Sequence, residues 1–150
     1  IEYIHSSIER LPEKLDKKYT LAVANMTLSA CLNLSKVISS ISAVMERKGR
    51  FVFTITHPVY WPIYWNYSNR SWFKYDKKII VEAPFKISNE YLNFKTTHIH
   101  RPLEFYVNLL TSAGFELECI LEPMPSPRIQ AKYKRPWKYP RFLGSRWVKK

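Results

Sequence analysis

The chain is 150 residues long, 46% hydrophobic and 15% aromatic, which supplies enough apolar side chain for one domain's core and too much for a disordered segment. Against 12 Asp and Glu it carries 24 Lys and Arg, a net charge of +12 that suits polyanions or anionic surfaces rather than cationic partners. No apolar run is long enough to cross a bilayer and no signal-peptide pattern opens the chain, so the sequence reads as soluble and cytoplasmic.

In chain order, Ile1–His5 alternates and reads as a short strand, and its opening on Ile rather than Met makes a processed, cropped or partial gene product the expectation. Ser6–Pro12 reads as a loop or a single turn, and Glu13–Lys18 as charged and exposed. Leu21–Met26 is a near-continuous apolar run, as expected of a parallel strand buried on both faces. Apolar residues at Leu34, Val37, Ile38, Ile41, Val44 and Met45 then recur with a helical period. Asn33 suits the N-cap of that helix, Arg47 and Lys48 its last turn, and Gly49 its stop. Arg50–Thr56 reads as a second strand parallel to the first, joined to it by a right-handed crossover.

The rhythm breaks over residues 58–97, which crowd Tyr60, Trp61, Tyr64, Trp65, Tyr67, Trp72, Phe73 and Tyr75 around one strand candidate at Lys78–Ala83. This stretch reads as an aromatic-rich excursion above the sheet within one domain spanning 1–150. Pro102 opens a second helix with Leu103, Tyr106, Val107, Leu110 and Ala113 on its buried side and Gly114 at its end. Glu116–Leu121 follows as a strand, Met124–Pro127 as a proline-rich turn, and Arg141–Lys149 as a final edge strand. Cys31 and Cys119 fall inside predicted elements without metal-ligand spacing and read as buried free thiols. Near the end Lys132, Lys134, Arg135, Lys138, Arg141, Arg146, Lys149 and Lys150 run with no acid among them, interleaved with Trp137, Tyr139, Phe142 and Trp147. That composition suits single-stranded nucleic acid, although a solvated basic face over core aromatics is the commoner arrangement.

Four stretches then point to a family: His5–Pro12 (HSSIERLP), Tyr19–Leu28 (YTLAVANMTL), Glu46–Pro58 (ERKGRFVFTITHP) and His98–Phe115 (HIHRPLEFYVNLLTSAGF). In this order and spacing they resemble the class I S-adenosylmethionine-dependent methyltransferases, in particular the broad small-molecule group called type 11. The resemblance covers most of the chain and is weakest over the aromatic excursion. It implies an α/β fold, a Rossmann-like three-layer α/β/α sheet that is partial, running from the family's third strand onward. The family's glycine-rich first loop has no counterpart, because Gly49, Gly114 and Gly144 each sit alone at an element boundary. Three further departures are Ser7 for the acidic residue of the adenine loop, Thr20 for an Asp in the fourth-strand motif, and Arg47-Lys48 for a Pro-Gly.

The implied activity is S-adenosylmethionine-dependent methyl transfer to a small-molecule acceptor, with this chain by itself expected to be inactive. A non-catalytic methyltransferase-like subunit and a nucleic-acid-binding module using the basic tail are the alternatives. By resemblance Ser7 and Ile8 would flank the adenine, and Asn25 and Met26 the methionine portion and the sulfonium, although a capping Asn and a core Met would look the same. His57, Tyr60, Trp61, His100 and Arg101 are the acceptor-side candidates: His57 as base, the aromatics as a lid, and Arg101 as partner for a carboxylate. No metal is expected. Without the family's missing strands the apolar edge Leu21–Met26 would be left open, so either an unstable chain or a partner chain covering that edge is expected.

Overall fold

A computed structural model describes residues 2–87, 90–134 and 136–150. The expectations at Ile1, at Arg135 and at the insertion's Ser88 and Asn89 lie outside the described residues. In chain order the elements are β1 (Tyr19–Asn25), α1 (Leu34–Val44), β2 (Met45–Thr56), α2 (Trp61–Tyr64), β3 (Ile79–Ile87), β4 (Glu90–His100), α3 (Leu103–Ser112), β5 (Phe115–Leu121), α4 (Pro127–Gln130) and β6 (Phe142–Lys149). A 3-10 turn at Ile8–Glu13 precedes them and another, Leu28–Ala30, follows β1. The main sheet runs β1-β2-β6-β5, and β3 and β4 form a separate two-stranded sheet. β1 and β2 are parallel, with Ala24 opposite Phe53, whereas β6 is antiparallel to both β2 and β5.

α1 forms where its period predicts. Asn33 Oδ1 accepts from the Lys36 amide at 3.2 Å, and Leu34, Val37, Ile38, Ile41 and Val44 are buried. The helix ends at Val44, earlier than its Arg47, Lys48 and Gly49 suggest, because the chain turns directly into β2. Its last carbonyls are taken by distant lysines: Lys18 Nζ donates to the Ala43 carbonyl, and Lys149 Nζ to those of Ser42 and Met45 (3.2 Å to the latter). Cations placed there also oppose the negative end of the helix dipole. Arg47 and Lys48 instead lie in a bulge of β2, where Lys48 takes a φ of 64°. Glycine is needed beside it because a Cβ on Gly49 would stand 2.9 Å from the Glu46 carbonyl oxygen and 3.2 Å from that of Thr20.

The core lies between the sheet and the layer formed by α1 and α3. Phe51, Phe53 and Ile55 of β2 meet Val37, Ile38 and Ile41 from α1, Tyr106 and Leu110 from α3, and Phe115, Leu143 and Trp147 from the far strands. The Phe51 ring centroid is 5.4 Å from Phe53 and 5.9 Å from Phe115. Full burial of such side chains stabilises the fold by roughly 1.5–3 kcal/mol each. Ser42 Oγ of α1 donates to the Ala113 carbonyl at 3.0 Å, tying the two helices together. Gly114, with φ 85°, ends α3 as expected.

Three expectations are corrected. Residues 2–5 form no strand. The last strand, expected at an edge, is central: β6 places Leu143, Ser145 and Trp147 toward the core, and the Trp147 indole N–H donates to Ser145 Oγ at 2.9 Å. β1, read from its apolar run as buried on both faces, is buried at Ala24 but exposes Leu21 (56%) and Val23 (67%), and it lies at the sheet edge, where the partial sheet was expected to leave it open. Of the α/β/α layers, the described residues supply the sheet and one helical layer. On the opposite face Glu118 of β5 pairs with Arg50 of β2 (3.2 Å) and with Arg146 of β6, and these hydrogen bonds hold its carboxyl below the usual range. The thiols of Cys31 and Cys119 are free but only half-buried.

The aromatic excursion does carry a strand at its predicted place, β3, and it also contains β4, which the sequence reading missed. Ile80 pairs with Ile99 and Val81 with His98 in this hairpin. Tyr67 is buried beside Trp72 and Phe73, and Phe73 in turn packs edge-on against His100 at 5.0 Å, so much of the aromatic content serves as the hairpin's own small core.

Candidate functional site

Where β1 and β2 end side by side, their pairing continues one step further: the Met26 amide donates to the Thr54 carbonyl at 2.9 Å, and Thr54 Oγ1 donates to Asn25 Oδ1. Met26 then leaves the strand with a φ of 56°, a left-handed conformation that costs a non-glycine residue on the order of 1 kcal/mol and is found disproportionately at functional sites. In open α/β sheets ligands bind beyond these carboxyl ends. Here a cavity of about 580 Å³ opens there. Met26, Ser29, Ala30 and Thr56 line it from the sheet side. The α2 segment supplies Trp61 and Trp65, four residues apart, and the β3–β4 hairpin supplies Ala83, Pro84, Thr96, Thr97 and His98.

The rings of Trp61, Trp65 and His98 form one cluster. The two indoles are 5.3 Å apart, and the imidazole centroid lies 6.3 and 6.0 Å from them. His98 Nδ1 is 3.4 Å from Thr56 Oγ1, and among the described residues its Nε2 has no hydrogen-bond partner. Burial, with smaller contributions from His100 and Arg101, lowers the pKa of His98 to about 4 and keeps its ring neutral at neutral pH.

The sequence-predicted residues divide. Met26 and Trp61 line the cavity, and Asn25 stands exposed at the strand end beside it. Ser7 and Ile8 lie elsewhere: Ser7 Oγ caps the first 3-10 turn by accepting from the Glu9 amide at 3.4 Å, and Ile8 packs against the core. His57 is 2% exposed and does not line the cavity. Its Nε2 meets Glu122 Oε1 at 2.7 Å, and its Nδ1 accepts from the Val59 amide at 3.2 Å. Tyr60 packs at a tilt against His57 at 4.6 Å and stacks on Tyr139 at 4.7 Å. His100 is buried, with Nε2 2.9 Å from the Tyr75 carbonyl oxygen, and burial lowers its pKa.

Arg101 is also buried, and it lines a different cavity of about 350 Å³ along α3, with Asp76, Lys78 and Glu104. Its Nη2 donates to the carbonyls of Cys31 and Leu32, which holds the segment between β1 and α1 that carries Ser29 and Ala30. The residues that sequence reasoning missed are chiefly Thr56, Trp65 and His98. Trp65 carried a readable signal, one helical turn beyond Trp61. His98 carried none, because alternation does not say which side of an unrecognised strand faces a cavity. At the basic end, Arg141 is enclosed by Tyr64 (4.3 Å) and Trp137 (4.5 Å), and Tyr139 is stacked on Tyr60. These faces are occupied by protein instead of being open to bases.

No protein-family model and no curated protein matches the chain. Solved structures do. A protein from Listeria monocytogenes described as an S-adenosylmethionine-dependent methyltransferase aligns with a TM-score of 0.69 and 20% identity, over 99% of this chain and 68% of that one. An S-adenosylmethionine-dependent methyltransferase from Methanosarcina mazei aligns at 0.61 and 13%, over 92% of this chain and 64% of its own. One from Mesorhizobium loti aligns at 0.56 and 16%, over 89% and 62%. The chain thus spans between 62% and 68% of the length of these three proteins. At such identities the likeness is one of fold, and the chain has the mixed α/β fold seen in S-adenosylmethionine-dependent methyltransferases.

Proposed function

We propose that the chain provides the acceptor side of an S-adenosylmethionine-dependent methyl transfer to a small molecule. The observation that carries this reading is the cavity beyond the carboxyl ends of parallel β1 and β2, with Met26 and Thr56 on one side and the aromatic excursion on the other. The residues present fit the methionine end of the cofactor: Asn25 is exposed at the strand end, and the unusual backbone of Met26 sets its side chain in the cavity wall. Asn25 and Met26 would hold that end, and the adenine, at the cofactor's other end, would lie outside this cavity beside the exposed Ser7 and the half-buried Ile8. When bound, the cofactor supplies an electrophilic methyl carbon, which takes a lone pair from the acceptor while the S–C pair returns to sulfur.

Little acid–base work is needed, so the protein's task is to hold the acceptor in line and keep water out. Trp61 and Trp65 provide the dry wall. His57, with both ring nitrogens engaged by Glu122 and the Val59 amide, acts in this reading by fixing the turn that leads into Trp61. The test is calorimetry with S-adenosylhomocysteine, run on the 150-residue chain and on the full reading frame of its gene. Binding by at least the full reading frame, weakened roughly three- to tenfold in Asn25→Ala by the loss of about one hydrogen bond, is the expected result. Absence of binding by both proteins would end the proposal.

A further inference from the structure

The methyl-transfer reading says nothing about which acceptor fits, but the cavity wall does. Among its described lining residues there is no Lys, Arg, Asp or Glu, in a protein with 36 such residues (24 basic and 12 acidic). Two indoles and an imidazole supply its aromatic surface, and its polar groups are the hydroxyls of Ser29, Thr56, Thr96 and Thr97, His98, and the indole N–H groups, that of Trp61 buried and without a partner among the described residues. An ionised group brought into such a wall loses water and meets no counter-charge, whereas a flat apolar ring gains contact on each aromatic face. A volume of about 580 Å³ is in the range of cavities that enclose a small organic molecule.

His98 adds direction. His98 lines the cavity, and in the tautomer that donates Nδ1–H to Thr56 Oγ1 its Nε2, without a partner among the described residues, carries a lone pair. In that tautomer the uncharged imidazole accepts a hydrogen bond from a ligand O–H and offers no N–H to an anion. We propose that this cavity binds a neutral, flat aromatic molecule bearing a hydroxyl group, its ring against Trp61 and Trp65 and its hydroxyl donating to His98. The proposal rests on the methyl-transfer reading only for the word acceptor, since the binding itself needs no methyl donor. Within that reading the hydroxyl oxygen bonds the methyl carbon as the S–C pair returns to sulfur, and the hydroxyl proton passes along its hydrogen bond to His98 and on to solvent.

Three ligands with one ring system separate the contributions: 2-naphthol, 2-methoxynaphthalene and 2-naphthoate, titrated calorimetrically into the full chain at pH 7. The hydroxyl compound should bind tightest. The ether, which keeps the ring but has no hydrogen to donate, should bind roughly three- to tenfold more weakly, the value of one neutral hydrogen bond. The carboxylate should bind at least tenfold more weakly than the hydroxyl compound. In His98→Ala the hydroxyl and ether should become equal, while Trp65→Ala should weaken all three, and a general packing role for His98 would instead lower all affinities together. A carboxylate as tight as the hydroxyl compound, or no measurable binding of any of the three by the wild-type chain, would overturn the proposal without recourse to a variant. The S-adenosylhomocysteine titration above reports separately: naphthol binding without it removes the methyl-transfer reading alone, and its binding without naphthol selectivity removes this proposal alone.

Discussion

Acidification should weaken the fold through His98 in a defined window. In the folded protein this imidazole titrates at about 4, against an ordinary value of 6.5 in the unfolded chain. Between those values the unfolded state holds a proton that the folded state excludes, so stability rises with pH across the window and is lost as pH falls through it. At about 1.4 kcal/mol per pH unit, going from pH 7 to pH 4 removes roughly 3 kcal/mol through this one group. His100, also buried and lowered, shifts stability in the same direction. Carboxylates titrate in the same range, so the measurement is a difference: urea unfolding of the wild type and of His98→Gln at pH 7, 6, 5 and 4. The wild type should lose about 3 kcal/mol more than the variant over that span. Parallel pH profiles would refute the reasoning, because they would mean that the ring is solvated and free to charge.

Replacing Gly49 with alanine should destabilise the protein by about 2 kcal/mol, since the new methyl lies 2.9 Å from a backbone oxygen that cannot easily withdraw; chemical unfolding measures it. Lys149→Met should cost about 1 kcal/mol by leaving the end of α1 with one lysine fewer on its carbonyls, and Arg47→Met, on the bulge, should cost nothing measurable. The edge of β1 exposes Leu21 and Val23, and we propose that another chain covers it. Introducing Leu21→Lys and Val23→Lys together should then abolish concentration-dependent association in sedimentation velocity without lowering the melting temperature. An unchanged association profile would place the contact elsewhere.

What sequence determined by itself was local. The helical period of Leu34, Val37, Ile38 and Ile41, the Asn33 cap, the Gly114 stop and the extended runs read at Leu21–Met26 and Glu116–Leu121, which became β1 and β5, are set by interactions within a few residues, and they are legible for that reason. Ordered motifs also pointed to the α/β fold that the solved structures share. Tertiary structure decided everything that depends on residues far apart in the chain. Alternation in Phe142–Lys149 is the same at a sheet's edge as at its centre, and only pairing with β2 and β5 made that strand central. Lys18 and Lys149 replaced the neighbouring basic residues at the end of α1 because the fold, not the helix, brings them there. The candidate site divided in the same way. Met26 and Trp61 were visible because each sits beside a strand end, whereas His98 became part of the cavity only when β4 paired with β3 and turned its ring toward Thr56 and the two indoles. His57 and Arg101 looked chemically suited to a site, but a buried polar side chain is stable only where its partners are. For His57 that partner is Glu122, and for Arg101 it is the carbonyls of Cys31 and Leu32, both away from the cavity wall.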